Sequence, residues 1–302
     1  TMVSSIAGTV SGGGSLKELY SDTTDDNYGL GEGLAFHADA EDNIALGENA
    51  LNSTTGAALS NIGIGTDALT ALTTGDYNVM IGHTSGDAMT TTKKNIGIGY
   101  CTLSAYTVHG STTEAHNIAI GTDAMALLQT GIYNTVVGGN AGDAMTTTDN
   151  TTLIGYNAGT AINSTDSNGT VAVGYQAGLA LTAATNNRAN VLVGLSAGAA
   201  LTTGSGNTVI GTNALVTSED TASTVAIGYQ ALNAAPDGTI QNVVIGTFAG
   251  NEINDGGADY NVIIGYYAGR GGNAHIKNCV AIGSNTMDGT GAYDADDCIF
   301  IG

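Results

Sequence analysis

The chain contains few positive charges and no long apolar segment. Its 302 residues include 6 Lys and Arg against 27 Asp and Glu, which gives a formal net charge of −21 at pH 7. Such a deficit of cations argues against nucleic acid or an anionic membrane surface as a partner. No apolar run approaches the ~18 residues that a membrane-spanning helix needs. The segment that starts at Thr1 also lacks the pattern of a signal peptide. We therefore expect no nucleic-acid binding and no membrane insertion.

Residues that usually carry catalysis or metal binding are scarce and scattered. The three cysteines form no CxxC pair, and the five histidines lack the spacing of zinc ligands. No phosphate-binding lysine follows the glycine-rich stretches. The acidic residues do not follow the calcium-binding turn repeat, which favours solvated loops. No Ser/His/Asp or paired-carboxylate arrangement recurs, so the sequence predicts a non-enzymatic protein without a cofactor or metal site.

Glycine, by contrast, is abundant (46 residues) and regularly placed. A glycine preceded by Leu, Ile or Val recurs sixteen times, mostly at intervals of 17 to 20 residues, and is called here the anchor, position zero. A period of this length predicts a solenoid, in which each coil stacks on the next. We expect residues 27–302 to form an all-β parallel solenoid or β-roll of about sixteen coils, and residues 1–26 a cap or connector. The anchors are Gly31, Gly47, Gly65, Gly82, Gly99, Gly121, Gly138, Gly155, Gly174, Gly194, Gly211, Gly228, Gly246, Gly265, Gly283 and Gly302.

The residues before each anchor predict a short strand with a polar column at its start. Position −1 is aliphatic in all sixteen copies, and position −4 is Asn in eleven. Asn at equivalent positions of stacked coils can form a hydrogen-bonded ladder. Cys279 and Cys298 occupy position −4 in neighbouring coils, where a disulfide is sterically feasible, but free cysteines are the preferred interpretation.

No residue at position −2 is polar. Side chains alternate between the two faces of a strand, so positions −3 and −1 share one face and −2 points to the other. Apolar residues on both faces indicate that both are buried. We expect position −2 to contact further copies of the chain, as in a cyclic homotrimer. The larger residues at −2, which are the candidates for the trimer core, are Met80, Val136, Leu153, Leu192, Val209, Val244, Ile263 and Phe300.

The second half of each coil is open to two interpretations. Apolar residues at +3, +4 and +7 fit one or two short helical turns, for example with Asp67 as N-cap and Gly75 as stop. A second short strand is the alternative. The longest interval between anchors predicts a protruding loop around Ser104–Glu114.

Five tyrosines occupy position +1, directly after an anchor. A tyrosine has a flat apolar face and a polar tip, which suits a surface that contacts glycans. A packing ladder between neighbouring coils is the simpler alternative. The five residues are Tyr100, Tyr156, Tyr175, Tyr229 and Tyr266.

Individual copies of the repeat resemble two families of attachment proteins. Asn117-Ile118-Ala119-Ile120-Gly121 and Thr224-Val225-Ala226-Ile227-Gly228 are similar to the head repeats of trimeric autotransporter adhesins. Gly174-Tyr175-Gln176-Ala177-Gly178, together with the Thr-Thr-Gly segments, resembles repeats in phage tail fibres. The resemblance covers residues 27–302. It implies a left-handed parallel β-roll, a homotrimer and a role in an extracellular attachment fibre.

These observations lead to one favoured function and two alternatives. We expect a homotrimeric structural fibre segment of a phage tail or head, located on the virion surface and acting in host attachment. Its partners would be further copies of itself, a virion or fibre connector protein, and a host cell-surface glycan or protein receptor. The first alternative is the head of a trimeric adhesin on a bacterial cell surface. A polysaccharide-degrading tailspike is the second.

Overall fold

The chain forms two compact units, Thr1–Thr147 and Thr148–Gly302. The computed structural model describes residues 19–22, 25–32, 34, 36–107, 114–182, 189–253, 257–270, 276–287 and 295–302. Most of the predicted N-terminal segment 1–26 lies outside the described residues.

The first unit is a stack of short parallel strands. β1 pairs antiparallel with β2, and β2 to β8 then pair in chain order, each parallel and in register with the next. The strands are β1 (Leu19–Asp22), β2 (Asn27–Leu30), β3 (Ile44–Leu46), β4 (Ile62–Ile64), β5 (Val79–Ile81), β6 (Ile96–Ile98), β7 (Ile118–Ile120) and β8 (Thr135–Val137).

The second unit repeats this arrangement. Strands β9 to β15, β17 and β19 pair in chain order, again parallel and in register, while β16 and β18 form a separate two-stranded sheet. The strands of the stack are β9 (Thr152–Ile154), β10 (Val171–Val173), β11 (Val191–Val193), β12 (Thr208–Ile210), β13 (Val225–Ile227), β14 (Val243–Ile245), β15 (Val262–Ile264), β17 (Val280–Ile282) and β19 (Ile299–Ile301). The small sheet contains β16 (Ile276–Lys277) and β18 (Ala295–Asp296).

The predicted all-β parallel solenoid is confirmed. It has about 14 turns, close to the number of coils expected, and the described residues contain almost no helix. Each of the sixteen anchor glycines directly follows a strand of one of the two stacks.

The prediction for the two strand faces was wrong, because the structure inverts them. Residues at position −2 are buried inside their own coil, and residues at −3 and −1 point outward and are half-buried or exposed. The buried Asn at −4 lies on the same face as −2, and this pair of positions sets which face is inward. Seven of the eight trimer-core candidates are therefore core residues of one chain: Met80, Val136, Leu153, Leu192, Val209, Val244 and Ile263. Phe300, in the last strand, is 37% exposed.

The described segments from +1 to +7 are neither helix nor strand, so both interpretations of these positions, helical turns and a second short strand, were wrong; β16 and β18 lie later in their coils. They consist of successive β-turns in which positions +2 and +4 have positive φ, as at Asp67 (59°) and Leu69 (55°). An α-helix cannot contain alternating left-handed residues. The Ala68 N–H closes one turn onto the Gly65 carbonyl, whereas the Asp67 and Leu69 N–H groups bond to neighbouring coils. Among the described residues, a short 3₁₀ helix forms at Thr165–Ser167.

The coils approach one another closely at the anchor glycines. Gly155 has φ +136°, a conformation that L side chains rarely adopt, and a Cβ there would lie 2.3 Å from the carbonyl oxygen of Gly174. The same contact between successive anchors recurs along each stack. Glycine is thus needed both for its backbone angle and for the backbone-to-backbone contact.

The predicted asparagine ladder is confirmed. Asn43 donates from its backbone N–H and from Nδ2 to Oδ1 of Asn27, at 3.1 and 2.9 Å. Asn61 repeats both bonds to Asn43 and also donates from Nδ2 to the Gly75 carbonyl at 2.8 Å. These buried amides satisfy backbone groups of the turn before each strand. The ladder thereby holds both the register and the turn.

Part of the predicted protruding loop follows the regular coil instead. Ala105 and Thr107 donate their N–H groups to Ala126 and Gln129 of the next coil, and the side chain of Tyr106 is fully buried. Tyr106 occupies position +7, where other coils place Leu, Met or Ile. Residues 108–113 of this segment lie outside the described residues.

Candidate interaction surfaces

The outward faces of the two strand stacks form an uncharged apolar surface, here named the aliphatic strip of each unit. The strip consists of the side chains at −3 and −1. Position −1 is Leu, Ile or Val in each of the sixteen strands before an anchor, and its exposed fraction is 40% at Ile154 and 77% at Ile301 in the last strand. Position −3 is Ile or Val with a few exceptions. Those exceptions are Tyr28, Thr135, Thr152 and Thr208.

The strips are large for a surface that faces solvent. Seven strands at the usual ~4.8 Å spacing extend about 30 Å, and nine extend about 40 Å. With a width of about 10 Å, each strip covers roughly 300–400 Å², the size of the largest apolar patch on a typical monomer. No Asp, Glu, Lys or Arg occupies −3 or −1, although the chain carries a net charge of −21. Acidic side chains lie elsewhere on the coil, as Glu48 does at +1.

The five predicted glycan-contact tyrosines lie on the surface beside the strip. Their exposed fractions lie between 45% and 52%. Tyr156 and Tyr175 stack on each other, with ring centroids 5.9 Å apart, and Tyr100 stacks on His83 at 5.6 Å. Each stacked pair therefore connects neighbouring coils, while about half of each tyrosine side chain stays exposed. The structure does not bring all five tyrosines together.

Two of these tyrosines belong to a larger cluster, here named the aromatic corner: Tyr229, Phe248, Tyr266, Tyr267 and Arg270. Phe248 stacks on Tyr267 with centroids 4.8 Å apart and an interplanar angle of 8°. Tyr229 meets Phe248 edge to face at 5.2 Å, and Tyr266 meets Tyr267 in the same way at 4.4 Å. The guanidinium carbon of Arg270 lies 4.8 Å from the centre of the Tyr267 ring. Four rings and one cation thus share one corner of three successive coils.

Sequence reasoning missed the aromatic corner, although a signal was present. Phe248 and Tyr267 occupy position +2, where other described coils place Asn, Asp, Ser, Thr, Gln or Cys. Both have positive φ, at 56° and 52°. Bulky aromatic residues are unfavourable in this conformation, whereas Asn and Asp tolerate it. A break in the repeat rule at two successive coils was therefore visible in the sequence.

Two aspartates carry buried carboxylate oxygens without a hydrogen-bond partner. They are Asp87 and Asp143, both at position +5, and the unpartnered atom is Oδ1 in each. Burial raises the pKa of both carboxyl groups above the usual value, and the negative charge of Asp67 adds to the effect at Asp87. The described residues contain no group of three or more His, Cys, Asp or Glu that could hold a metal ion.

The remaining residues considered from sequence are dispersed. The three cysteines are thiols and form no disulfide, as expected, and burial raises the pKa of the Cys279 thiol. His116 stacks on Tyr133 at 5.6 Å, and His37 lies 3.6 Å from Asp39. His109 and His275 lie outside the described residues.

Comparisons of the chain with protein-family models, curated proteins and solved structures gave no match. Within the described part of the chain, no helix has the length and hydropathy required to cross a membrane. The surfaces themselves therefore carry the functional argument.

Proposed function

We propose that this chain is a non-enzymatic segment of a homotrimeric attachment fibre on a phage virion. The observation that carries the proposal is the aliphatic strip, which is partly exposed and uncharged along both units. A surface of this kind is stable in water when other protein covers it. Every coil presents the same two positions, so the most economical cover is the equivalent strip of another copy.

Cyclic association places each coil against the same coil of its neighbours. Parallel copies around one axis bring −1 aliphatic residues together at every level, without a change of register. Burying ~300 Å² of strip per copy contributes roughly 7 kcal/mol before the cost of association. Three copies are favoured over two by the resemblance of the repeats to trimeric fibres.

The test is the oligomeric state of the full chain and of two matched variants. Mass photometry and sedimentation of the wild-type protein are expected to give a trimer. Ile210→Glu places a charge in the strip, at a side chain that is 38% exposed in one chain, and is expected to shift the population toward monomer. Thr212→Glu, two residues later at +1, places the same charge beside the strip, at a position where Glu48 occurs naturally. It is expected to leave the trimer intact. A monodisperse wild-type monomer would contradict the proposal.

The attachment role is tested separately with whole virions. Purified chain is expected to compete with phage adsorption to the host, since it would occupy the glycan or protein receptor. Absence of competition by a protein that forms trimers would limit the role to that of a spacer. A coding region beside a bacterial translocation barrel, instead of virion genes, would favour the head of a trimeric surface adhesin.

A further inference from the structure

We propose that a notch in the aromatic corner binds a pyranose ring of a neutral saccharide. Tyr229 and Tyr266 both occupy position +1, two coils apart, and Thr247 occupies the same position in the coil between them. Two coil spacings place the tyrosine positions about 10 Å apart. We define the notch as the space above Thr247 between the two tyrosine positions, so that the tyrosines are its walls and Thr247 is its floor. The inference rests on the proposed attachment role and adds the place and the chemical class of the ligand.

Each wall of the notch is held in place by contact with a neighbouring aromatic ring. Tyr229 is fixed by the edge-to-face contact with Phe248, and Gln230 Nε2 donates a hydrogen bond to the Tyr229 hydroxyl at 3.2 Å. Tyr266 is fixed by its contact with Tyr267. Both walls remain about half exposed, at 45% and 52%. Preorganised aromatic faces bind a ligand with a smaller loss of side-chain entropy than mobile ones do.

The dimensions and chemistry of the notch suit a sugar. A pyranose has apolar C–H faces and a rim of hydroxyl groups, so aromatic walls pack on its faces while polar groups meet its rim. Tyrosine tips, Gln230 and the Thr247 hydroxyl supply the polar groups. The Thr247 hydroxyl makes no hydrogen bond to any described residue. Elsewhere in the +1 row, Tyr156 and Tyr175 are adjacent and stack on each other, which leaves no space between them.

The charge of the corner favours a neutral ligand. Arg270 packs on Tyr267, and its Nε lies 3.9 Å from the carboxylate of Glu252, so the one cation of the corner is partly neutralised. The net charge of −21 repels polyanions. An uncharged saccharide avoids this repulsion.

The sequence of the corner also departs from the repeat. Phe248 and Tyr267 occupy position +2 with φ of 56° and 52°, where the other described coils place Asn, Asp, Ser, Thr, Gln or Cys. Asn, as at Asn213, tolerates this conformation better than an aromatic residue does. Local rules of a fold are most often broken at functional sites. Here the two exceptional residues are those that contact the walls of the notch.

The test is saturation-transfer NMR of the full chain with maltopentaose, cellopentaose, mannopentaose and a β-galactan pentamer. At least one saccharide is expected to receive magnetisation from the tyrosine rings. Tyr266→Thr removes one wall, and Thr247→Tyr fills the notch with the residue found in neighbouring coils. Each is expected to weaken binding roughly three- to tenfold. Tyr156→Thr, the matched control in the same row, is expected to leave affinity unchanged.

Three outcomes would overturn the inference. They are no transfer to any of the four saccharides, unchanged binding by Thr247→Tyr, or an equal loss in Tyr156→Thr. Trimer formation and competition with phage adsorption are measured on the same samples. A trimer that blocks adsorption but binds none of the saccharides would refute the sugar notch and leave the attachment role in place. A monomer that binds sugar in the notch would contradict the proposed homotrimeric fibre and leave the sugar-binding notch in place.

Discussion

Replacing the anchor Gly211 by Ala tests how the coils stack. Gly211 has φ +140°, and a Cβ there would lie 2.2 Å from the carbonyl oxygen of Gly228 in the next coil. Relief of that contact requires the two backbones to separate by about 1 Å. The atom that must move belongs to the backbone, so no side-chain rotation can relieve the contact.

The cost of this separation follows from the hydrogen bonds that join the two coils. The Gly228 N–H donates to the Ile210 carbonyl at 2.8 Å, and the Thr208 N–H donates to the Thr224 carbonyl at 2.9 Å. Loss of two such bonds at ~1 kcal/mol each, with ~1–3 kcal/mol for Ala at this φ, gives roughly 3–5 kcal/mol for Gly211→Ala.

The control variant is Gly169→Ala in the same unit. Gly169 also has positive φ, at +78°, but the nearest atom to its Cβ would be the Cβ of Ala189 at 3.4 Å, an ordinary contact. This variant keeps the backbone strain without the clash and should cost about 1 kcal/mol. Urea unfolding followed by circular dichroism compares the two variants. Stacked repeats can unfold in parts, so amide hydrogen exchange at Ile210 and its neighbours is measured in addition to urea unfolding. Equal destabilisation by the two variants would refute the stacking argument.

Three further predictions concern the ladder, the buried carboxylates and the strained rings. Asn61→Ala leaves the Gly75 carbonyl and its ladder neighbours unpaired and should cost ~2–4 kcal/mol in urea unfolding, against little for the surface variant Asn52→Ala. Because burial raises the pKa of Asp87, its contribution to stability is full below pH 3.8 and is lost as pH rises through the folded-state pKa. Asp87→Asn should therefore raise Tm at pH 7 and change it little at pH 3; an equal shift at both pH values would contradict this. Phe248→Asn should raise Tm, because Asn favours the positive φ of position +2, while weakening saccharide binding. A lower Tm would show that the ring is needed for packing.

The positions of the strands could be predicted from the sequence because one backbone requirement recurs at every coil. Only glycine fits the anchor, and only a short β-rich segment fits between it and position −4, so the sixteen strands that precede an anchor were located correctly, whereas β1, β16 and β18 were not predicted. The pairing register of neighbouring strands could be predicted from the same repeat period. Local rules that repeat sixteen times reinforce one another, which is why the fold class was accessible without any related structure.

The inward face could not be chosen from apolar character, because both faces are apolar. Ala172 at −2 is buried, and Val171 and Val173 on either side are half-buried. The informative residue was the Asn at −4, which must be buried for its amide to pair at every level, and which shares a face with −2. The turns were misjudged for a related reason. Spacings of +3, +4 and +7 match a helix, but the same spacings also place side chains inward in a series of β-turns with left-handed residues at +2 and +4.

Strand formation alone does not explain the aliphatic strip. Thr152 and Thr208 occupy outward position −3 in intact strands, so a β-branched polar residue fits the outer face without loss of pairing. Thr never occurs at position −1, which is Leu, Ile or Val in all sixteen strands before an anchor. On a strand that stayed in water, Thr would serve at −1 as well as Ile does and would reduce the exposed apolar area. The consistent choice of aliphatic residues at −1 therefore supports the proposed contact with further copies along the strip.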